Sequence, residues 1–159
     1  MHGRTRADFF RGAAEYETIR SVRRALSIPL IANGDIDSPQ KARAVLDFTE
    51  AEGVMIGRAA QGAPWIFRDV NAYLASDHFV PPLLRAFKTE IILQHLESLY
   101  EFYGEYTGVR IARKHLGWYC REQSETMALR PALMAAEDSA SQFAAVKRGF
   151  ESWSQLSAA

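Results

Sequence analysis

The sequence predicts an α/β chain. A parallel strand-and-helix region spans residues 1–80, and an all-helical domain spans residues 81–159. Three observations lead there. Short apolar runs that stop at glycine alternate with amphipathic segments in the first half. The strand ends recur at similar intervals, 31 residues from His2 to Asn33 and 24 from Asn33 to Gly57. Past Pro81-Pro82 the strand signals stop. Repeated strand–loop–helix units of this size imply right-handed crossovers and a parallel sheet. Strands buried on both faces read as continuous apolar runs, as these do.

Taken in order, His2-Gly3-Arg4 ends the first unit. Tyr16 to Leu26 is helical by spacing, with Ile19, Val22 and Leu26 on one face. Ile28 to Ala32 is an apolar run halted by Asn33-Gly34-Asp35, which favours a buried strand. Ser38-Pro39 pairs an N-cap with proline at the first helical position, and Ala42, Val45 and Leu46 share a face of the helix that follows. Gly53 to Gly57 is a second apolar strand, after which Pro64 opens a helix through Ile66, Val70 and Leu74. In the second half, Phe87, Ile91, Leu96, Leu99 and Tyr103 mark a long helix, with breaks predicted at Gly104 and Gly108. Val109 to Gln123 is another helix. Pro131 opens a third region, and Phe143, Val146, Phe150 and Trp153 form a stripe near the end.

Composition bounds the function. With 19 basic and 19 acidic residues the formal charge is zero, so binding to nucleic acid through bulk charge alone is excluded. One cysteine excludes an internal disulfide framework and a cysteine-rich zinc site. No apolar run suggests a membrane span or a secretory leader, and the expected location is the cytoplasm. No metal site is expected, and the common zinc-protease, dithiol, P-loop and nucleophile-elbow motifs are lacking.

Ligands of parallel α/β folds bind beyond the C-terminal strand ends. Asn33-Gly34-Asp35 and Gly57-Arg58 lie at two such ends. Glycine there lets a backbone approach a ligand, and Arg58 adds a forked cation, so the pair suits a phosphate. The plainer reading is that these glycines only make tight turns. His2 also ends a strand, where it suits a ligand contact or proton transfer, although a lone histidine beside a chain terminus is commonly structural. A second place is the helix from Tyr106 to Arg121. It carries Arg110, Arg113, Lys114 and Arg121 with no Asp or Glu. At ~100° per residue, positions 110, 113, 114, 117 and 121 share one face and Ala112, Leu116 and Tyr119 the other. A basic stripe of this kind is either a solvated face or a footprint for RNA phosphates. Cys120 sits within the same helix and reads as an inert thiol.

Several of these motifs together resemble a known family. His2-Gly3-Arg4-Thr5-Arg6, Ile31-Ala32-Asn33-Gly34-Asp35-Ile36 and Met55-Ile56-Gly57-Arg58-Ala59-Ala60-Gln61-Gly62 resemble late barrel motifs of bacterial tRNA-dihydrouridine synthases. Pro64-Trp65-Ile66-Phe67 and Arg110 to Tyr119 extend the likeness, which is closest to the B-type subfamily.

The resemblance implies the C-terminal part of a (β/α)₈ TIM barrel followed by a helical tRNA-binding domain. It implies FMN as cofactor, NADPH as reductant and tRNA as substrate. By this likeness His2, Asn33, Gly34, Asp35, Gly57 and Arg58 match cofactor-binding positions. Arg4, Arg6, Arg110, Arg113, Lys114 and His115 match positions that face RNA. A complete barrel needs roughly 250 residues, more than this chain has. The lysine near the flavin and the cysteine that protonates uracil in the family are not among its residues, so no catalytic residue is assigned here. The reaction also requires the target base to leave its stack. Met1 then reads as an internal residue or as the start of a shortened gene.

The expectation is a fragment without reductase activity of its own. Its whole-length relatives are expected to be monomers, and its open barrel edge offers a surface for self-association. A non-catalytic RNA-binding module, or a piece of another phosphate-binding barrel, are the competing readings.

Overall fold

The computed structural model describes residues 1–5, 7 and 12–155. Arg6, assigned to RNA contact by the resemblance, lies outside the described residues. The chain divides into two compact units. The first comprises Met1–Ala60 and Pro64–Pro81, and the second comprises Gln61–Ala63 and Pro82–Ala159.

In the first unit, α1 (Glu17–Ala25), β1 (Ile31–Asn33), α2 (Pro39–Thr49), β2 (Gly53–Met55) and α3 (Ile66–Ser76) follow in order. The strands pair in parallel, Ile31 with Gly53, Ala32 with Val54 and Asn33 with Met55. On the other side of β1, His2 makes a parallel bridge to Asn33. The Asn33 amide donates to the Met1 carbonyl at 2.8 Å, and the Gly3 amide to the Asn33 carbonyl at 2.9 Å. The first unit thus has the parallel order that the repeated spacing predicts.

Its helices start and pack for readable reasons. Ser38 Oγ accepts from the Lys41 amide at 3.3 Å, and Pro39 follows at the first turn of α2. Ala42 and Val45 are buried and Leu46 packs beside them, in one core with Ile19, Ala32, Ile36, Ile56, Ile66 and Val70. The strands are shorter than predicted. Ile28 is exposed, and β1 begins only where β2 can pair with it. Glu52 caps the approach, its carboxylate accepting from the Leu30 amide at 2.8 Å. Leu26 also departs from the predicted helical face: it lies beyond the end of α1 and is exposed. Alternate side chains of a strand face opposite ways. Ala32 is buried, whereas Ile31 is 46% and Met55 50% exposed. A parallel sheet is ordinarily covered on both faces, and here one face stays open.

The second unit holds α4 (Arg85–Glu122), a short 3₁₀ turn, α5 (Arg130–Ala135) and α6 (Ser139–Gln155). The break expected at Gly104 is there, with φ 72° and ψ 174° inside α4. The break expected at Gly108 is not, because Gly108 is helical and buried. A Cβ there would lie 3.0 Å from the Leu99 carbonyl oxygen and 3.0 Å from the Tyr100 Cα. Its smallness lets the two arms of α4 meet across the kink, so the glycine serves close packing.

The buried face before the kink is Thr89, Ile92, Leu96 and Leu99, while Phe87 and Tyr103 of the predicted stripe are exposed. Beyond the kink Ala112, Leu116 and Tyr119 are buried as the spacing predicts. In α6 the buried residues are Gln142, Val146, Phe150 and Trp153. Gln142 takes the place expected of Phe143. Its amide donates to the Val109 carbonyl at 3.3 Å and the Leu133 carbonyl at 3.4 Å. It also accepts from the Tyr100 hydroxyl at 2.8 Å, so the buried polar group is satisfied.

Candidate functional site

The C-terminal ends of the strands open into a cavity of about 490 Å³, within the range of small-molecule sites. His2, Asn33, Gly34, Asp35, Gly57 and Arg58 all line it, together with Ile36, Asp37, Met55 and Ala59. The structure therefore brings together all six residues that the resemblance assigns to the cofactor. A Cβ added at Gly57 would meet no atom within 4 Å, so the backbone there is open to a ligand.

Asp35 is the electrostatic centre. Its carboxylate accepts from Arg4 Nη1 at 2.7 Å and Arg4 Nη2 at 2.5 Å. The Ala14 amide donates to it at 2.8 Å, and Arg58 Nη2 at 3.2 Å. These donors hold the Asp35 carboxyl below the usual range, with the hydrogen bonds from Arg4 as the largest cause. Arg4 also donates to the Gly12 carbonyl at 2.6 Å, and its side chain is only 5% exposed. The structure thus holds the Arg4 side chain against Asp35 and the Gly12 carbonyl, and not on an open surface.

Asp35 itself has φ 48°, a left-handed conformation that aspartate tolerates better than most residues. Gly34 has φ 131°, and a Cβ there would lie 2.8 Å from the Ala14 Cβ. Tyr16 donates its hydroxyl to the Gly34 carbonyl at 2.6 Å. Burial raises the pKa of that phenol, and Asp35 adds to the effect, so it remains a donor. The contributions of Ala14 and Tyr16 were not legible in sequence, since both act from segments remote in the chain.

The basic helix gives a second site. Arg113, Lys114, Gly117 and Arg121 line a groove of about 320 Å³, joined by Trp118, Met127 and Arg130. Arg130 comes from α5 and was not expected. Arg110 is elsewhere. Its guanidinium lies 3.4 Å over the Tyr106 ring and donates to the Tyr106 carbonyl at 3.0 Å. His115 packs edge-on to His95, with ring centroids 4.7 Å apart, and to Trp118 at 5.1 Å. Burial, then the nearby His95 and Lys114, push its pKa down to about 4, so it carries no charge at neutral pH. Cys120 is buried, and burial raises its pKa. Among the described residues no group of three His, Cys, Asp or Glu could hold a metal ion. No described helix is long and apolar enough to cross a membrane.

Comparison with known proteins agrees with the motifs. The sequence model of the dihydrouridine synthase family matches residues 1–154.

The chain belongs to the dihydrouridine synthase family.

It is similar to the tRNA-dihydrouridine synthase B of Salmonella typhimurium, 49% identical over 153 residues, which are 96% of this chain and 48% of the relative. The same-named protein of Pectobacterium carotovorum is 50% identical over 151 residues, 95% of this chain and 47% of the relative. That of Escherichia coli K12 is 49% identical over 153 residues, again 96% and 48%. The chain thus spans about half the length of the curated relatives it matches, and it corresponds to the C-terminal portion of a B-type synthase.

Proposed function

We propose that this chain supplies the cofactor-phosphate side and the RNA-facing domain of an FMN-dependent tRNA-dihydrouridine synthase. The observation that carries the reading is the single cavity at the strand ends that gathers His2, Asn33, Gly34, Asp35, Gly57 and Arg58. The residues fit FMN by the chemistry of their donor set. The Arg58 fork and the open backbone at Gly57 suit the phosphate, and Asn33 and Asp35 suit the ribityl hydroxyls. Arg4 balances the Asp35 charge from behind, which keeps a carboxylate compatible with a nearby anion. His2 stands at the same rim, where it suits contact with the flavin or the target uracil.

When bound and reduced with NADPH, FMN supplies the hydride for reduction of a uracil double bond. This chain's own residues orient the cofactor and hold RNA. The face of α4 bearing Arg113, Lys114 and Arg121 supports the second task through phosphate contacts. Barrel architecture completed by further strands fits the open face at Ile31 and Met55. Proton donation to uracil is assigned to the part of the enzyme that this chain does not span, because Cys120 is buried in the helical unit.

The test is a flavin-fluorescence titration of the chain with FMN, paired with a turnover assay on tRNA. Quenching that weakens strongly in Arg58→Met is expected, with no dihydrouridine formed by the chain alone. Binding indifferent to Arg58, or dihydrouridine formed by the chain alone, would overturn the reading.

A further inference from the structure

We infer that Tyr16 is a positioning residue for the cofactor: its hydroxyl holds the Gly34–Asp35 peptide so that the Asp35 amide faces the cavity and can donate to the anionic end of a flavin nucleotide. The inference rests on the reading of the cavity as the cofactor site. It goes further by giving a role to a residue that does not line that cavity.

A trans peptide directs its carbonyl and its amide hydrogen to opposite sides. The Tyr16 hydroxyl donates to the Gly34 carbonyl at 2.6 Å. Gly34 and Asp35 border the cavity and Tyr16 does not. With the carbonyl turned to Tyr16, the Asp35 amide is turned the other way, to the side where Arg58 stands. Arg58 Nη2 lies 3.2 Å from the Asp35 carboxylate. A phosphate on the Arg58 fork then meets a backbone donor as well as a cation.

The dihedral angles explain the need for a latch. Asp35 sits at φ 48°, a region that non-glycine residues enter only at a cost. Turning the Gly34–Asp35 peptide over would bring that angle to about −130°, in the broad extended region open to any residue. Gly34, without a Cβ, permits either orientation. The Asp35 backbone by itself therefore favours the reversed peptide, which would present a carbonyl oxygen to the anion. The Tyr16 hydroxyl opposes the reversal, because it loses its acceptor when the carbonyl turns away. Arg4 and Ala14 fix the Asp35 carboxylate, whereas Tyr16 bonds the peptide itself.

The hydroxyl is well anchored. The Tyr16 ring packs against the core of the first unit. Lys41 Nζ lies 4.8 Å from its centroid, a cation–π contact. The Tyr16 carbonyl accepts from the Arg20 amide at 3.0 Å, at the start of α1. Burial raises the pKa of the phenol, so the proton that makes the bond is kept at neutral pH.

The test titrates the full chain and its Tyr16→Phe variant with FMN and with riboflavin, followed by flavin fluorescence. The variant keeps the ring and removes the latch. FMN is expected to bind it about three- to tenfold more weakly, the worth of one hydrogen bond. Riboflavin, which lacks the phosphate, is expected to be little affected. Tyr73→Phe is the control and leaves both affinities unchanged, since that ring packs on Phe79 at 4.9 Å and does not line the cavity. As a second readout, sodium phosphate should shift the Asp35 amide resonance in the native chain and much less in Tyr16→Phe. Circular dichroism reports the fold of each variant.

Equal losses for FMN and riboflavin would reduce the bond to a packing contact and overturn the inference. So would an Asp35 amide that phosphate leaves unmoved in the native chain, an outcome that needs no variant. If FMN binding depends on Arg58 but ignores Tyr16, the latch is wrong and the cofactor reading survives. If FMN binding ignores Arg58, both fall.

Discussion

Replacing Arg4 by Met removes the charged half of the Arg4–Asp35 pair while keeping most of the apolar stem. Arg4 makes two bonds to Asp35 and one to the Gly12 carbonyl. Hydrogen bonds to charged groups are worth about 1.5–3 kcal/mol, and breaking a fully buried pair costs about 3–5 kcal/mol. Asp35 is 27% exposed and keeps its bonds from Ala14 and Arg58, so water and those donors limit the loss. The expected cost is about 2–3 kcal/mol, a roughly 30- to 150-fold shift in the unfolding equilibrium of the first unit.

Urea unfolding measures the cost, and hydrogen exchange at the Ala14 amide localises it, because that amide also bonds Asp35. Arg24→Met is the comparison, since the Arg24–Glu50 pair is exposed on both sides and solvent screening makes its loss much the smaller of the two. The pH dependence has a definite sign. The folded Asp35 carboxyl lies below its ordinary value, so its contribution is present above that ordinary value and is lost as pH falls toward the lower, folded one. Arg4→Met should flatten this acid limb. A loss no larger than that of Arg24→Met, with the acid limb unchanged, would refute the account of Arg4 as an internal clamp.

Three further outcomes follow from the second unit. The His115 ring, followed by NMR, should titrate near pH 4, and its contribution to stability should decline as pH falls from about 6.5 toward that value; titration near 6.5 would place it in open solvent. Gly62→Ala should destabilise by more than about 1 kcal/mol, because Gly62 has φ 82° and a Cβ would sit 2.5 Å from the Trp118 carbonyl oxygen; a neutral thermal shift would contradict the packing. Cys120 should react with a thiol reagent only under conditions that unfold the helical unit, since it is buried with a raised pKa; rapid labelling of the native chain would contradict its burial.

Local chemistry was readable where it acts on its own segment. Ser38-Pro39 marked the start of α2, and the buried Ala112, Leu116 and Tyr119 followed from helical spacing. Asn33, Gly34, Asp35, Gly57 and Arg58 were legible as strand-end residues, while the assignment of His2 came with the family resemblance; all six line one cavity. What stayed hidden depends on partners far along the chain. Arg4 looks like a surface cation until Asp35 is beside it. Gly108 looks like a helix breaker until the Leu99 and Tyr100 backbone lies against it. Gln142 looks polar and exposed until three partners satisfy it. Arg130 joins the groove from a separate helix.

The most direct test of the central claim is a chimera. This chain replaces the matching stretch of the Salmonella typhimurium relative, expressed in cells lacking their own dihydrouridine synthases. Mass spectrometry of the tRNA should then detect dihydrouridine, and Arg58→Met within the chimera should abolish or sharply reduce it. A chimera that folds and is well expressed yet leaves the tRNA without dihydrouridine would contradict the account.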